Sequence, residues 1–94
     1  MPRLRLSKMT VYFFGSVLEY TGGEKSHDAG DSQDLNVLIE KLGIYYGEAF
    51  REYLLAEGTC FFLVNGKGIA TTGGLKTRLE GGDKIEILPH IGAG

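Results

Sequence analysis

Ninety-four residues with a formal net charge of −2 suffice for one domain with one core, and without a basic stripe they argue against nucleic acid as the main partner. Apolar residues at 43% and charged residues at 23% are ordinary for a globular chain, and no apolar run approaches the length of a membrane span. One cysteine cannot form an internal disulfide, and the opening Met1-Pro2-Arg3-Leu4-Arg5-Leu6 lacks the apolar stretch of a secretory signal, so a reducing cytoplasm is the expected location.

Residues 1–7, with Arg3 and Arg5 and followed by Lys8, read as a solvated lead-in. Met9 to Phe14 is rich in β-branched and aromatic residues and predicts a strand ending at Gly15. Ser16 to Tyr20 suits a short helical turn, Gly22-Gly23 a reversal, and the polar run Glu24 to Ala29 an edge strand. Leu35, Leu38, Ile39 and Leu42 then fall at i, i+3, i+4 and i+7, one face of an amphipathic helix. Asp31 or Ser32 is expected to cap its start and Gly43 to mark its end. Glu48 to Leu55 predicts a second short helix with Phe50, Tyr53 and Leu54 turned inward.

Thr59 to Val64 is a strong strand signal, and Asn65-Gly66 should turn it into a short strand over Gly68 to Thr71. Leu75 to Leu79 fits a single tight turn, and Gly81-Gly82-Asp83 leads into a last strand, Lys84 to Leu88. The fold class is therefore α+β, with one main helix covering one face of a four- to five-stranded sheet. Strand parity carries a further expectation. If Val11, Phe13, Phe62, Ile85 and Ile87 face the helix, Phe14, Phe61, Leu63 and Leu88 share the opposite face. An open sheet face is usually polar, so an apolar patch there marks an interface.

Residues 1–88 thus form the domain and 89–94 a tail, Pro89-His90-Ile91-Gly92-Ala93-Gly94. Proline cannot donate to a ladder, which places the end of the sheet at Pro89. Six extended residues reach roughly 20 Å, a thin flexible arm whose tip carries only the α-carboxylate of Gly94.

Several pieces in order resemble one family: Phe13-Phe14-Gly15 closing the first strand, Leu35-x-x-Leu38-Ile39-x-x-Leu42-Gly43 on the helix, and the turn Val64-Asn65-Gly66. Leu79-x-Gly81-Gly82-Asp83-x-Ile85 and the closing Leu88-Pro89-x-Ile91-Gly92-x-Gly94 complete the set. The chain resembles the MoaD/ThiS family of ubiquitin-like sulfur carriers over nearly its whole length. That resemblance implies a β-grasp fold with a mixed sheet. It also implies that an E1-like enzyme uses ATP to adenylate the Gly94 carboxylate, and that persulfide sulfur then converts it to a thiocarboxylate. In the molybdopterin branch, to which the long stretch Tyr45 to Leu55 inclines the chain, the tail enters a larger synthase subunit and delivers sulfur to a pterin precursor. Phe14, Ile69 and Leu88 match the family's apolar contacts to that subunit. Gly92 and Ala93 would thread its tunnel, with Pro89, His90 and Ile91 as the base. Ala93 departs from the family's usual Gly-Gly ending, and its methyl group adds bulk near the tip. Thiamine-type carrier, covalent protein modifier and plain β-grasp binding module are the rival readings.

The remaining chemistry-bearing residues have plainer readings. Cys60 sits in an apolar strand and reads as core, with a redox or thioester role as the alternative. His27 and His90 have no second ligand at metal spacing, so no metal site is expected; the resemblance implies no bound cofactor either, ATP being used by the partner enzyme. Gly66-x-Gly68 and Gly73-Gly74-x-Lys76 lack phosphate-loop spacing and no catalytic dyad stands out, in keeping with the non-catalytic sulfur-donor subunit that the resemblance implies.

Overall fold

The computed structural model describes residues 8–90, so the lead-in at residues 1–7 and the tail at residues 91–94 lie outside the described residues. Five strands form one sheet: β1 (Met9–Phe13), β2 (Ser26–Gly30), β3 (Cys60–Val64), β4 (Lys67–Gly68) and β5 (Lys84–Pro89). Their spatial order is β2-β1-β5-β3-β4, with β1 and β5 parallel and every other pair antiparallel. Two helices, α1 (Leu35–Tyr46) and α2 (Glu48–Leu55), are joined through Gly47. A mixed sheet with its first and last strands parallel at the centre, gripping one long helix, is the ubiquitin-like β-grasp arrangement.

The core forms where the two periodicities meet. Leu35, Leu38, Ile39 and Leu42 of α1 are fully buried against Val11, Ile85 and Ile87, with Phe13 close to it. Burying each such aliphatic side chain contributes about 1.5–3 kcal/mol relative to leaving it in water. Phe50 of α2 meets Phe13 edge to face at 5.9 Å between centroids, which seals the end of the core. As expected, Phe50 and Leu54 are buried and Tyr53 is half-buried beside them.

Several local expectations need correction. The cap of α1 is Asp34, not Asp31 or Ser32: its backbone is extended and its Oδ1 accepts the amide of Val37 at 2.9 Å. Gly43 does not end α1, which continues to Tyr46. A Cβ at Gly43 would stand 2.8 Å from Cβ of Arg51, so this glycine lets α2 cross close against α1. The Asn65 turn forms as expected, with Asn65 at a φ of 52°. Its Nδ2 also donates to Asp83 at 2.9 Å and its Oδ1 accepts from the Lys84 amide, which ties the hairpin to the start of β5. The strand expected over Gly68 to Thr71 stops at Gly68 and becomes a 3-10 turn, Ile69–Thr71. Thr71 and Thr72 donate their hydroxyls to the carbonyls of Gly68 and Ile69, a local bonding that competes with a ladder. The turn expected over Leu75 to Leu79 is a 3-10 turn of three residues, Gly74–Lys76.

Candidate functional site

The face of the sheet turned away from α1 carries the apolar row that strand parity predicts. Phe61 and Leu88 are direct cross-strand partners on β3 and β5. On the other side of β5, the amide of Phe14 donates to the carbonyl of Ile87 at 3.1 Å, which sets Phe14 beside Leu88. Phe14 is 40% exposed and Phe61 50%, while Leu88 and Leu63 are half-buried. Tyr12, 36% exposed, extends the patch along β1. Ile69 packs against the rim of the core and also borders a hollow of about 200 Å³ that it shares with Phe61 and Leu63. The structure therefore groups Phe14, Leu88, Phe61 and Leu63 on one surface, with Ile69 at its border.

At the end of this row the base of the tail is held by its backbone. β5 runs one residue beyond Leu88, because Pro89 still pairs with Cys60. The amide of His90 donates to the carbonyl of Thr59 at 3.0 Å. Bonded pairs alternate along an antiparallel ladder, so the nitrogen of Pro89 points away from β3 and its missing proton breaks no bond there. That nitrogen faces the side where β1 has already ended. The space is kept by Gly15, at a φ of 59°, where an added Cβ would lie 2.8 Å from Cγ of Pro89. The imidazole of His90 stacks on Phe61, 4.7 Å between centroids and 25° between planes. Pro89 and His90 thus belong to the folded body, and only Ile91, Gly92, Ala93 and Gly94 continue past the described residues. Four residues span at most about 14 Å.

Thr59 and Gly15 have no place in a reading of the sequence by residue type, yet they position this base. Thr59 is anchored in turn to α2: its hydroxyl donates to the carbonyls of Tyr53 and Ala56, and its own carbonyl also accepts from the Tyr53 hydroxyl at 3.1 Å. A glycine directly after Phe13-Phe14 and a proline at the end of the last strand were the available signals.

Little else here could do chemistry. Burial pushes the Cys60 thiol up from its ordinary range, opposed in part by the Thr59 hydroxyl, so the nucleophilic thiolate is disfavoured at neutral pH. Among the described residues no cluster of histidine, cysteine and carboxylate could hold a metal ion. Glu48 is bonded to Arg51 at 3.2 Å and is part of a solvated ion pair. No described helix is long and apolar enough to cross a membrane.

Comparison with known proteins agrees with that geometry. No curated protein sequence matches the chain. Mycobacterium tuberculosis CysO, described as an antigen, superposes with a TM-score of 0.78 at 28% identity, covering 88% of this chain and 99% of that one. Small archaeal modifier protein 1 from Methanosarcina acetivorans shares the fold at a TM-score of 0.77 and 24% identity, covering 94% of this chain and 97% of that one. A putative molybdopterin converting factor subunit 1 from Pyrococcus furiosus shares it at a TM-score of 0.67 and 22% identity, over 90% of this chain and 99% of that one. The model of the ThiS family matches residues 11–94, from the first strand through the final glycine, and the chain belongs to that family of ubiquitin-like sulfur carriers and modifiers.

Proposed function

We propose that this chain is a sulfur carrier whose Gly94 carboxylate is adenylated by an E1-like enzyme, converted to a thiocarboxylate, and used as the sulfur donor in molybdopterin synthesis. The single observation that carries the reading is the continuity of the apolar row Phe14, Leu88 and Phe61 with the base of the glycine-bearing tail at Pro89 and His90. A partner that seats on the row receives the tail at a fixed point of departure.

The chemistry explains why the carrier needs no catalytic groups. A terminal carboxylate with an unperturbed pKa of about 3.5 is ionised at neutral pH and resists attack at its carbonyl carbon. In the activation step a carboxylate oxygen attacks the α-phosphorus of ATP and pyrophosphate leaves. Persulfide sulfur then attacks the acyl carbon and AMP leaves. A thiol reduces the resulting acyl disulfide and frees the thiocarboxylate. Every group in these steps except the carboxylate belongs to the enzyme, ATP, the sulfur donor or a thiol. The carrier contributes recognition and reach, and the small side chains of Gly92 and Ala93 suit passage through a narrow tunnel.

The molybdopterin assignment rests on the match of Phe14, Ile69 and Leu88 to contacts with a larger synthase subunit, and on the fold shared with the Pyrococcus furiosus protein. A protein-modifier role is the second reading, favoured by the fold shared with the archaeal modifier. Incubation with an E1-like enzyme, ATP and a persulfide donor, followed by intact mass measurement, tests the carrier role. An ATP-dependent mass gain equal to exchange of one oxygen for sulfur is expected, and its absence rejects the reading. Adding a large synthase subunit and pterin precursor should return the mass to its starting value. Transfer of the chain onto lysines of other proteins would favour the modifier instead.

A further inference from the structure

The sheet has a second surface that the carrier chemistry does not use. β2 is its outermost strand on the side away from β4. The amide of Phe13 donates to the carbonyl of Lys25 at 2.9 Å, so the bonded pairs toward β1 are Phe13 with Lys25 and, two residues on, Val11 with His27. The backbone N–H and C=O groups of Ser26 and Asp28 consequently point outward. Among the described residues, no backbone group of another element bonds to them.

Immediately beside this edge, on the helix side, a groove of about 390 Å³ runs between β2 and α1. Its floor is apolar, formed by Ala29, Leu38 and Leu42, all buried. Ile44 and Tyr45 stand at its rim, 86% and 62% exposed, the two most exposed large apolar side chains among the described residues. The pleat turns His27 and Ala29 toward the groove and sends Asp28 to the opposite face, where it pairs with Lys8 at 3.4 Å. Lys41 is therefore the one formally charged residue of the lining, and it is a cation.

We propose that this groove binds an extended peptide segment of a partner protein, which adds to β2 as a sixth strand with alternate apolar side chains in the groove and a carboxylate at Lys41. Only an extended backbone can satisfy the outward groups of Ser26 and Asp28, since a helix uses its own amides and carbonyls internally. A strand laid there turns every second side chain toward Ala29, Leu38 and Leu42, which makes those positions apolar. The Lys41 ammonium group donates to the backbone carbonyl of Asp31 but has no carboxylate partner among the described residues, so it selects an acid over a base at that end. The groove lies on the opposite side of the sheet from Phe14, Leu88 and Phe61. A peptide held in it leaves the apolar row and the tail free, so the carrier can be tethered to one protein while Gly94 is in the active site of another.

The test uses the full chain labelled with nitrogen-15, a capped hexapeptide TITITD and its counterpart TITITK. TITITD should shift the amides of Ser26, Asp28, Ala29, Leu42 and Tyr45, and slow hydrogen exchange at Ser26 and Asp28 about tenfold at saturation. Lys41→Glu should weaken TITITD about fivefold and reverse the preference in favour of TITITK. Ile44→Asp, at a position too exposed to threaten folding, should weaken both peptides. The proposal is overturned by an absence of shifts at millimolar peptide, by shifts confined to Phe14, Phe61 and Leu88, or by equal binding of the two peptides to the unaltered chain. Concentration-dependent shifts at β2 without peptide would overturn it in favour of a second copy of this chain as the occupant.

Discussion

Val11, Phe13, Ile85 and Ile87 alternate along β1 and β5 with Tyr12, Phe14, Glu86 and Leu88, so two surfaces with different duties are interleaved on the same strands. The first set is buried under α1, with Val11, Ile85 and Ile87 at zero exposure. The second set is half-buried or exposed and leads to His90 stacked on Phe61. The inner face holds the fold, whereas the outer face leaves much of its apolar surface in water and contributes less to folding. An apolar side chain that the fold does not need points to a partner that does.

The comparison can be broken most severely at the tip. Deleting Gly94 should abolish ATP-dependent sulfur uptake completely while leaving the thermal unfolding midpoint unchanged, because the inner face is untouched. The inner face is tested by Phe13→Ala. With Phe13 2% exposed, this truncation should destabilise the domain by about 3–5 kcal/mol in urea denaturation. The outer face is tested by Phe61→Ala, which should alter stability by less than about 1 kcal/mol yet weaken binding to an E1-like enzyme by more than about 1 kcal/mol, read by calorimetry.

A fourth substitution sharpens the picture away from both faces. Gly43→Ala should destabilise by about 1–3 kcal/mol although alanine favours helix, because the new methyl meets Cβ of Arg51. The Cβ of Arg51 cannot yield by a change of rotamer, because it is fixed to the backbone of α2. The smallest effect belongs to Asp34→Ala, about 1 kcal/mol, from loss of the bond to the Val37 amide.

How legible these features are in the chain depends on the range of the physics behind each. The helix over Leu35 to Leu42 and the inward parity of Phe62, Ile85 and Ile87 follow from local periodicity, and the structure shows both. The turn at Asn65 follows from the Asn-Gly pair, two residue types that accept the positive φ found at both positions. Gly43 does not mark a helix end, because its reason is a crossing with α2 eight residues later, which no local pattern encodes. The cap falls at Asp34 and not at Asp31 or Ser32, because several capping residues crowd together there and only geometry selects among them. The strand expected at Gly68 to Thr71 failed because threonine hydroxyls bond locally as readily as threonines extend. At the candidate site, the outer row was readable from parity. The grip on Pro89 and His90 by Gly15 and Thr59 was not, since it joins segments far apart in the chain.

Locating the transferred sulfur tests the central claim most directly. After reaction with an E1-like enzyme, ATP and a persulfide donor, proteolysis and fragment mass analysis should place the additional sulfur on the C-terminal fragment at Gly94, with Cys60 unmodified. Sulfur recovered as a persulfide on Cys60, with Gly94 unchanged, would contradict the account.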